Sequence, residues 1–342
     1  MIKSVLWLFY TIFVFSSSTQ AEDFFLTSGS ARLRALAMGS AYNSVEDDFS
    51  AGFYNPGAFK LNATQNERRF RLFFNPLAAA VALNDFSNYN TDYNEDDKLT
   101  LGEALLSVSL FIKGMVYTTP VLDMGLGLGE EMIEGNTLLD RSERIFSVEG
   151  LIKNSFHSAF INLKVAPSVS LGISGTLYSS WLKGGNSFEG GYAFGVLLMP
   201  NPKMNVGIVY NEIPEKFSGA RMELECLENG AVTSGISYHP DDKTVFSLDL
   251  RGVNLEDQPT ARQIHTGLER RFGERITLRA GYFRKKDTRD DVFSFGIGVL
   301  PVWEKISRFS HSTRNDLVSY TLIMEDTDFE KHWHAVSMLL RF

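Results

Sequence analysis

Two groups of residues in this 342-residue chain could carry chemistry, and the first is its histidines. His332 and His334 flank Trp333, and on a strand this spacing puts both imidazoles on one face, where they could bind a metal ion. The same spacing is more typical of solvent-exposed polar residues at the start of a strand. His265 lies on the same strand face as Glu269, but a hydrolase would also need a serine beside that histidine, and the sequence identifies none. We therefore predict no catalytic residue, no metal site and no cofactor, and the chain is not expected to be an enzyme.

The second group is a set of charged residues within otherwise alternating segments. Each lies on the face of its segment that carries small or polar residues, so all of them are predicted to point inward from neighbouring strands. Buried charges persist when they are paired or hydrogen-bonded, so we expect them to tether one another and the acidic cluster Glu46-Asp47-Asp48. The alternative is that they line a wet pore without holding anything. The residues are Asp249, Arg251, Glu269 and Arg279.

The elements that must position these residues are strands. From residue 67 onward, segments of about ten alternating residues are separated by turn signals, as in membrane barrels. Leu278 and Phe295 are predicted to face lipid, whereas Arg279 is predicted to face the lumen. A soluble β-sandwich has the same period of two, so alternation alone does not separate the two folds.

The segments predict an all-β fold, a transmembrane antiparallel barrel of fourteen strands over residues 68–342. The connections alternate between tight turns and longer polar links, which is typical of outer-membrane barrels. Two connections, residues 130–141 and 300–316, are long where a tight turn is expected. The predicted strands centre near Leu72, Met124, Phe146, Ile161, Ile173, Phe194, Ile208, Ile236, Leu248, Thr266, Leu278, Phe295, Tyr320 and Met338.

The two ends of the chain indicate export to the outer membrane of a diderm bacterium. Residues 1–21 read as a signal peptide, with Lys3, an apolar run and a cleavage site after Ala21. No later apolar run reaches the roughly 18 residues that a transmembrane helix needs. The last segment alternates and ends on Phe342, which resembles the C-terminal signal by which barrels are recognised by the insertion machinery.

Composition narrows the class further. Aromatic residues make up 13% of the chain and mean hydropathy is −0.09, a balance that suits a barrel with alternating strands. The net charge of −8 argues against a nucleic-acid partner. The single cysteine, Cys226, excludes an internal disulfide.

The segment before the first strand is patterned like neither a strand nor a long helix. Residues 29–61 are rich in small residues and carry a strong turn signal at Asn55-Pro56-Gly57. We predict that residues 22–67 form a hatch folded into the barrel lumen. An ordinary surface loop before the first strand is the alternative.

The hatch segment resembles the N-terminal hatch of the FadL family of outer-membrane barrels, and equally that of the related PorV and PorQ proteins. The resemblance rests on three features of the segment. They are the small residues 37–41, the adjacent acidic residues Asp47 and Asp48, and the aromatic pair Phe53-Tyr54 directly before Asn55-Pro56. The chain departs from the family at Gly57, where alanine is usual. The resemblance implies a gate formed by Glu46, Asp47, Asp48, Phe53, Tyr54, Asn55, Pro56, Gly57 and Phe59.

A helix is predicted inside the first long connection, over residues 97–118. Its apolar residues Leu101, Leu105, Val108 and Ile112 recur at helical spacing, after a capping-box signature. This face either packs against the barrel rim or forms an apolar groove for a greasy ligand. The second possibility follows from the FadL resemblance.

The two resemblances imply different functions for a monomeric barrel. FadL-like proteins take up hydrophobic small molecules, such as long-chain fatty acids, by passive transport. PorV-like barrels act as partners in protein secretion. A soluble exported β-sandwich is a third, more distant possibility.

Overall fold

The computed structural model describes residues 23–27, 31–47, 49–59, 69–76, 112–131, 155–182, 185–214, 229–254, 263–285, 289–299, 317–326 and 331–341. Within these residues the chain is mostly strand, with two short helices, α1 (Leu33–Ala37) and α2 (Ala51–Tyr54). The strands are β1 (Asp23–Thr27), β2 (Arg69–Phe74), β3 (Ile112–Thr118), β4 (Leu122–Glu131), β5 (Ser155–Ala166), β6 (Val169–Leu182), β7 (Gly185–Asn201), β8 (Met204–Glu212), β9 (Ala231–Tyr238), β10 (Thr244–Arg251), β11 (Gln263–Phe272), β12 (Ile276–Arg284), β13 (Asp291–Val299), β14 (Val318–Glu325), β15 (Lys331–Met338) and β16 (Leu340–Arg341).

Strands β2 to β15 form one antiparallel meander in chain order, in which each strand pairs with its neighbours in sequence. This confirms the prediction of an all-β fold with fourteen antiparallel strands. β16 continues the last strand after Leu339, and its Leu340 and Arg341 pair with Phe74 and Phe73 of β2. The last strand of the meander therefore meets the first.

The N-terminal strand β1 belongs to the sheet. It pairs in parallel with β15, from Asp23 opposite Lys331 to Thr27 opposite Ala335. The predicted hatch, residues 22–67, included this stretch, so that boundary was wrong for residues 23–27. The main-chain groups along the edge of β15 explain the difference, because an added strand satisfies them.

One strand of the sheet comes from a segment that was predicted to be a helix. Ile112–Thr118, which the helical spacing assigned to a helix, forms β3 between β2 and β4. Val116, Tyr117 and Thr118 are β-branched or aromatic, and pairing on both sides outweighs the local spacing. The segment near Phe146 lies outside the described residues, and β4 pairs directly with β5.

The inserted strand β3 also explains one of the two irregular connections. With β3 present, the connection between β4 and β5 falls at the end of the barrel that carries the long links. The connection over residues 130–141 was predicted to be irregular only because β3 was missing from the predicted strands. Residues 130–131 belong to β4. Residues 300–316 lie outside the described residues. The end of the barrel opposite the long links carries short turns, such as the one between β11 and β12, and we call it the tight-turn end.

The inward and outward faces agree with the predicted alternation. Leu248 and Phe295 are 48% and 46% exposed on the outer surface, whereas Asp249 and Arg279 are 0% and 5% exposed. Large apolar side chains of other strands are exposed on the same outer face, as lipid contact requires. None of the helices among the described residues is long and apolar enough to span a membrane.

We expect Leu278→Arg to destabilise the membrane-inserted barrel by about 2–4 kcal/mol if Leu278 lies near the bilayer midplane. Leu278 is 43% exposed on the outer face, so the arginine would enter lipid. Glu274→Arg in the adjacent turn is the matched control and should cost about 0–1 kcal/mol. Denaturant titration of folding into lipid vesicles measures both changes, and equal costs would contradict the assigned outer face.

Candidate functional site

The lumen of the barrel is occupied by residues 31–59, which we call the hatch. Nearly all of its described side chains are buried, among them Phe49, Tyr54 and Phe59 at 1% exposure or less. α1 contacts β12, β13, β14 and β15, whereas α2 packs on the opposite side of the barrel. The hatch therefore reaches across the lumen rather than lying along one wall.

An aromatic cluster fixes the hatch to the wall formed by β2 to β6. Phe49 stacks on Phe73 of β2, with ring centroids 4.6 Å apart. Phe53 meets Phe160 of β5 edge to face at 5.0 Å. Such pairs add about 0.5–1.5 kcal/mol each beyond the area they bury. Phe59 contacts the same Phe160, at 5.6 Å.

An ionic cluster fixes the opposite side of the hatch to β11 and β12. Arg34 of α1 donates two hydrogen bonds of 2.8 Å to Glu269, one to each carboxylate oxygen. Arg279 binds the same carboxylate at 2.7 Å. Asp47 lies 3.4 Å from Arg34, an ion pair without hydrogen-bond geometry. The acidic cluster was expected to pair with lumen arginines such as Arg251 or Arg279, but Asp47 reaches the lumen charges through Arg34, an arginine of the hatch itself.

Tyr42 completes this ionic cluster. Its hydroxyl donates a 2.7 Å hydrogen bond to Asp47. Burial raises the pKa of the Tyr42 hydroxyl well above its usual value, so the group keeps its proton and remains a donor. Arg34 also lies over the ring of Tyr42, 5.6 Å from its centroid.

The other two predicted lumen charges hold the hatch backbone. Asp249 of β10 accepts hydrogen bonds from the backbone amides of Tyr42 and Asn43, at 2.8 and 3.0 Å, and from the Asn43 side chain at 2.8 Å. Arg251 donates to the Ser40 carbonyl at 2.7 Å. Both charges therefore act as tethers for the hatch.

The turn at Asn55-Pro56-Gly57 is formed and is anchored to β5 and β6. The Asn55 side-chain oxygen accepts from the Gly57 amide at 2.8 Å, and the Ala58 amide donates to the Asn55 carbonyl at 2.9 Å. Asn162 of β5 donates to the Gly57 carbonyl at 2.8 Å. A side chain at Gly57 would lie 2.8 Å from the backbone of Gly195. Any larger residue at position 57 would therefore press against the wall, because the turn lies directly on it.

Sequence reasoning missed a second buried ion pair. Glu130 of β4 accepts hydrogen bonds from the Ala31 amide at 3.0 Å and from Arg32 Nε at 3.1 Å. Arg32 also lies over the ring of Phe156, 4.8 Å from its centroid. A usable signal was present, because two arginines in a segment of small residues need buried acceptors.

Two of the three histidines singled out from the sequence, His265 and His334, have hydrogen-bond partners. The Nδ1 of His265 lies 2.6 Å from the Gly39 carbonyl, and its ring stacks on Phe283 at 4.6 Å. His332 and His334 share the outward face of β15, and His334 is hydrogen-bonded to the Tyr320 hydroxyl at 2.7 Å. Among the described residues, no group of three or more histidine, cysteine or acidic side chains could hold a metal ion.

The other predicted site residues lie elsewhere in the fold or outside the described residues. Glu46 is half-buried within the hatch. Ile112 is the first residue of β3, not part of a helical groove. The others lie outside the described residues: Asp48, Leu101, Leu105, Val108, Cys226 and Phe342.

Comparisons with known proteins give distant structural similarity alone. No family model and no curated protein matches the chain. Among solved structures, a triple mutant of the Rhodopseudomonas blastica porin is 12% identical, with a TM-score of 0.34 over 67% of this chain and 75% of the porin chain. Another mutant of this porin gives the same values. The fold described above rests on the strand pairing itself.

Proposed function

We propose that this chain is an outer-membrane channel, closed at rest by its hatch, for hydrophobic small molecules such as long-chain fatty acids. One observation carries the proposal: a separate segment of the same chain fills the barrel lumen and is tethered to inward side chains on opposite walls. The exposed apolar outer face supports insertion into a membrane. On this proposal the barrel is monomeric and Phe342 presents it to the insertion machinery.

The division of the lumen into two sectors supports a hydrophobic cargo. The hatch meets β2 to β6 through aromatic rings, beside the ion pair of Arg32 and Glu130, and meets β10 to β12 through charges. A shift of the hatch would therefore uncover a wall rich in aromatic rings along β2 and β5. An alkyl chain gains about 0.8 kcal/mol for each methylene removed from water. Such a wall favours an alkyl chain over a polar solute.

A partner in protein secretion, as in PorV-like barrels, is the second candidate. The ionic tethers of the hatch favour it, because breaking a buried ion pair by removing one partner costs about 3–5 kcal/mol. A hatch that is held this firmly suits a barrel that serves as a static scaffold for a partner protein. The two proposals differ in whether the hatch moves.

The hatch turn offers a direct test. Replacing Asn55 and Pro56 together by alanine removes the side-chain acceptor of the Gly57 amide and the fixed φ of proline. No strand pairing depends on either residue, so the barrel should remain folded. For a channel we expect a higher leak conductance in planar bilayers and a changed rate of fatty-acid uptake.

The chain supplies its own matched control for that turn. Asn201-Pro202 is the same dipeptide, in the exposed turn between β7 and β8, and the Lys203 amide donates to the Asn201 side chain at 2.9 Å. Alanine at Asn201 and Pro202 should leave conductance and uptake unchanged. Unchanged conductance and uptake in a folded hatch variant would reject the gate. Absence of fatty-acid binding, together with binding of a secreted protein, would favour the second candidate.

A further inference from the structure

A small polar cavity lies at the tight-turn end of the lumen, outside the ionic cluster that holds the hatch. Its volume is about 20 Å³, room for roughly one water molecule or a single small ion. Its lining combines two buried threonines, one each from β10 and β12, with charged side chains of β11, β12 and the turn before β10. The residues that define it are Thr244, Thr277, Glu269, Arg271, Arg279 and Asp242.

Arg271 is the side chain in this cavity whose hydrogen bonds are incomplete. It is 7% exposed, and both Nε and Nη1 are buried without a hydrogen-bond partner. Its remaining nitrogen, Nη2, lies 3.3 Å from Asp242, whose side chain is 52% exposed. A guanidinium cannot lose its proton, so burial cannot neutralise it.

The neighbouring carboxylate does not compensate Arg271. Glu269 is already bound by Arg34 and by Arg279, at 2.8 and 2.7 Å. A buried charge with incomplete hydrogen bonds is costly, and a partner of opposite sign removes that cost. Arg271 therefore presents two buried donors to the cavity. With Lys243 also in the lining, three cationic side chains face the two carboxylates of Asp242 and Glu269.

We propose that this cavity is a binding site for one small monovalent anion, a halide or a carboxylate group. The anion would accept hydrogen bonds from Arg271, with the hydroxyl of Thr277 at the cavity wall as a further donor. The volume excludes larger ligands unless only one end group enters. The proposal is independent of whether the barrel carries a hydrophobic cargo.

Titration of detergent-solubilised protein with chloride, followed by ³⁵Cl NMR line broadening, tests the site. Sodium sulfate, whose anion is neither a halide nor a carboxylate and is too large for the cavity, keeps the ionic strength constant, so that non-specific screening does not change. The wild-type protein should show saturable broadening that acetate displaces. Arg271→Gln should weaken chloride binding by about tenfold or more, since hydrogen bonds to a charged group are lost.

Arg270→Gln is the matched control, because Arg270 is the adjacent residue of β11 and points to the outer face. Chloride binding should survive this change. Arg271→Lys keeps the charge and should retain part of the binding, which protects the test if Arg271→Gln fails to fold. Broadening that persists in folded Arg271→Gln, or that is lost equally in Arg270→Gln, would overturn the proposal.

A second competitor identifies the source of the anion. Octanoate that displaces chloride no better than acetate indicates a site for free small anions. Octanoate that displaces chloride much more strongly indicates the carboxylate end of an acyl chain. Both results support an anion site at Arg271, whereas no displacement by either carboxylate restricts the site to halides.

Discussion

Arg34→Met should destabilise the folded protein by about 3–5 kcal/mol and loosen the hatch in the lumen. Arg34 is 6% exposed, and it is the hatch side chain that joins Asp47 to Glu269. Methionine keeps much of the volume but cannot donate a hydrogen bond. Glu269 would retain Arg279 and Asp47 would retain Tyr42, so the cost should lie towards the lower end of the range.

Two measurements test the effect of Arg34→Met. Denaturant unfolding in lipid vesicles gives the loss of stability, and planar-bilayer recording gives the leak conductance, which should rise as the hatch loosens. Arg284→Met is the matched control. Arg284 is 61% exposed and pairs with Asp291 at 3.2 Å on the surface, and such surface pairs contribute about 0–1 kcal/mol.

A double-mutant cycle separates the ion pair from simple loss of packing. Glu269→Gln alone should destabilise the protein, because it leaves two buried arginines with weaker acceptors. The combined Arg34→Met and Glu269→Gln variant should cost less than the sum of the two single changes. Strict additivity would mean that the two residues do not act together, and the ionic tether would then be rejected.

The barrel wall could be predicted from the sequence because its pattern is local. The alternation along β10 and β12 predicts that the side chains of Asp249 and Arg279 face inward. The tight turns predict that strands adjacent in sequence pair with each other. β3 was missed for a physical reason. Ile112–Thr118 is short, its apolar spacing also fits a helix, and only its two neighbouring strands decide between the alternatives.

The contacts of the hatch could not be predicted in the same way. Arg34 and Glu269 are 235 positions apart in the chain, and no local pattern states which hatch residue lies beside which strand. The sequence placed Glu269 in the lumen and small residues in the hatch. It could not show that glycines of the wall are needed for the hatch to fit, because a glycine on a lumen face also suits an empty pore.

The wall glycines lead to the second large expected effect. Gly172 of β6 faces the Pro56-Gly57 turn, and Gly281 of β12 faces Gly39 on the other side of the hatch. At both positions a Cβ atom would overlap backbone atoms of the hatch, which cannot rotate away as a side chain could. The hatch must then move away from the wall, or the strands must bend.

We expect the double variant Gly172→Ala and Gly281→Ala to destabilise the closed protein by about 2–6 kcal/mol, from about 1–3 kcal/mol for each overpacked site. The two sites lie on different walls, so their effects should nearly add. Gly175→Ala and Gly190→Ala form the matched control, since a Cβ atom at either position meets nothing within 4 Å. That control should be neutral or slightly stabilising, because alanine restricts the unfolded chain more than glycine does.

Conductance distinguishes a displaced hatch from a distorted barrel. If the hatch yields, the Gly172→Ala and Gly281→Ala variant should keep the heat-modifiable gel migration of a folded barrel and show a raised, steady leak. The Gly175→Ala and Gly190→Ala control should show neither change. A closed and equally stable double variant would mean that the hatch does not rest on these two glycines, and the fit of the hatch against the wall would have to be revised. Loss of the folded band without any rise in leak would instead mean that the strands yield before the hatch does, so that the hatch is the more rigid part of the molecule.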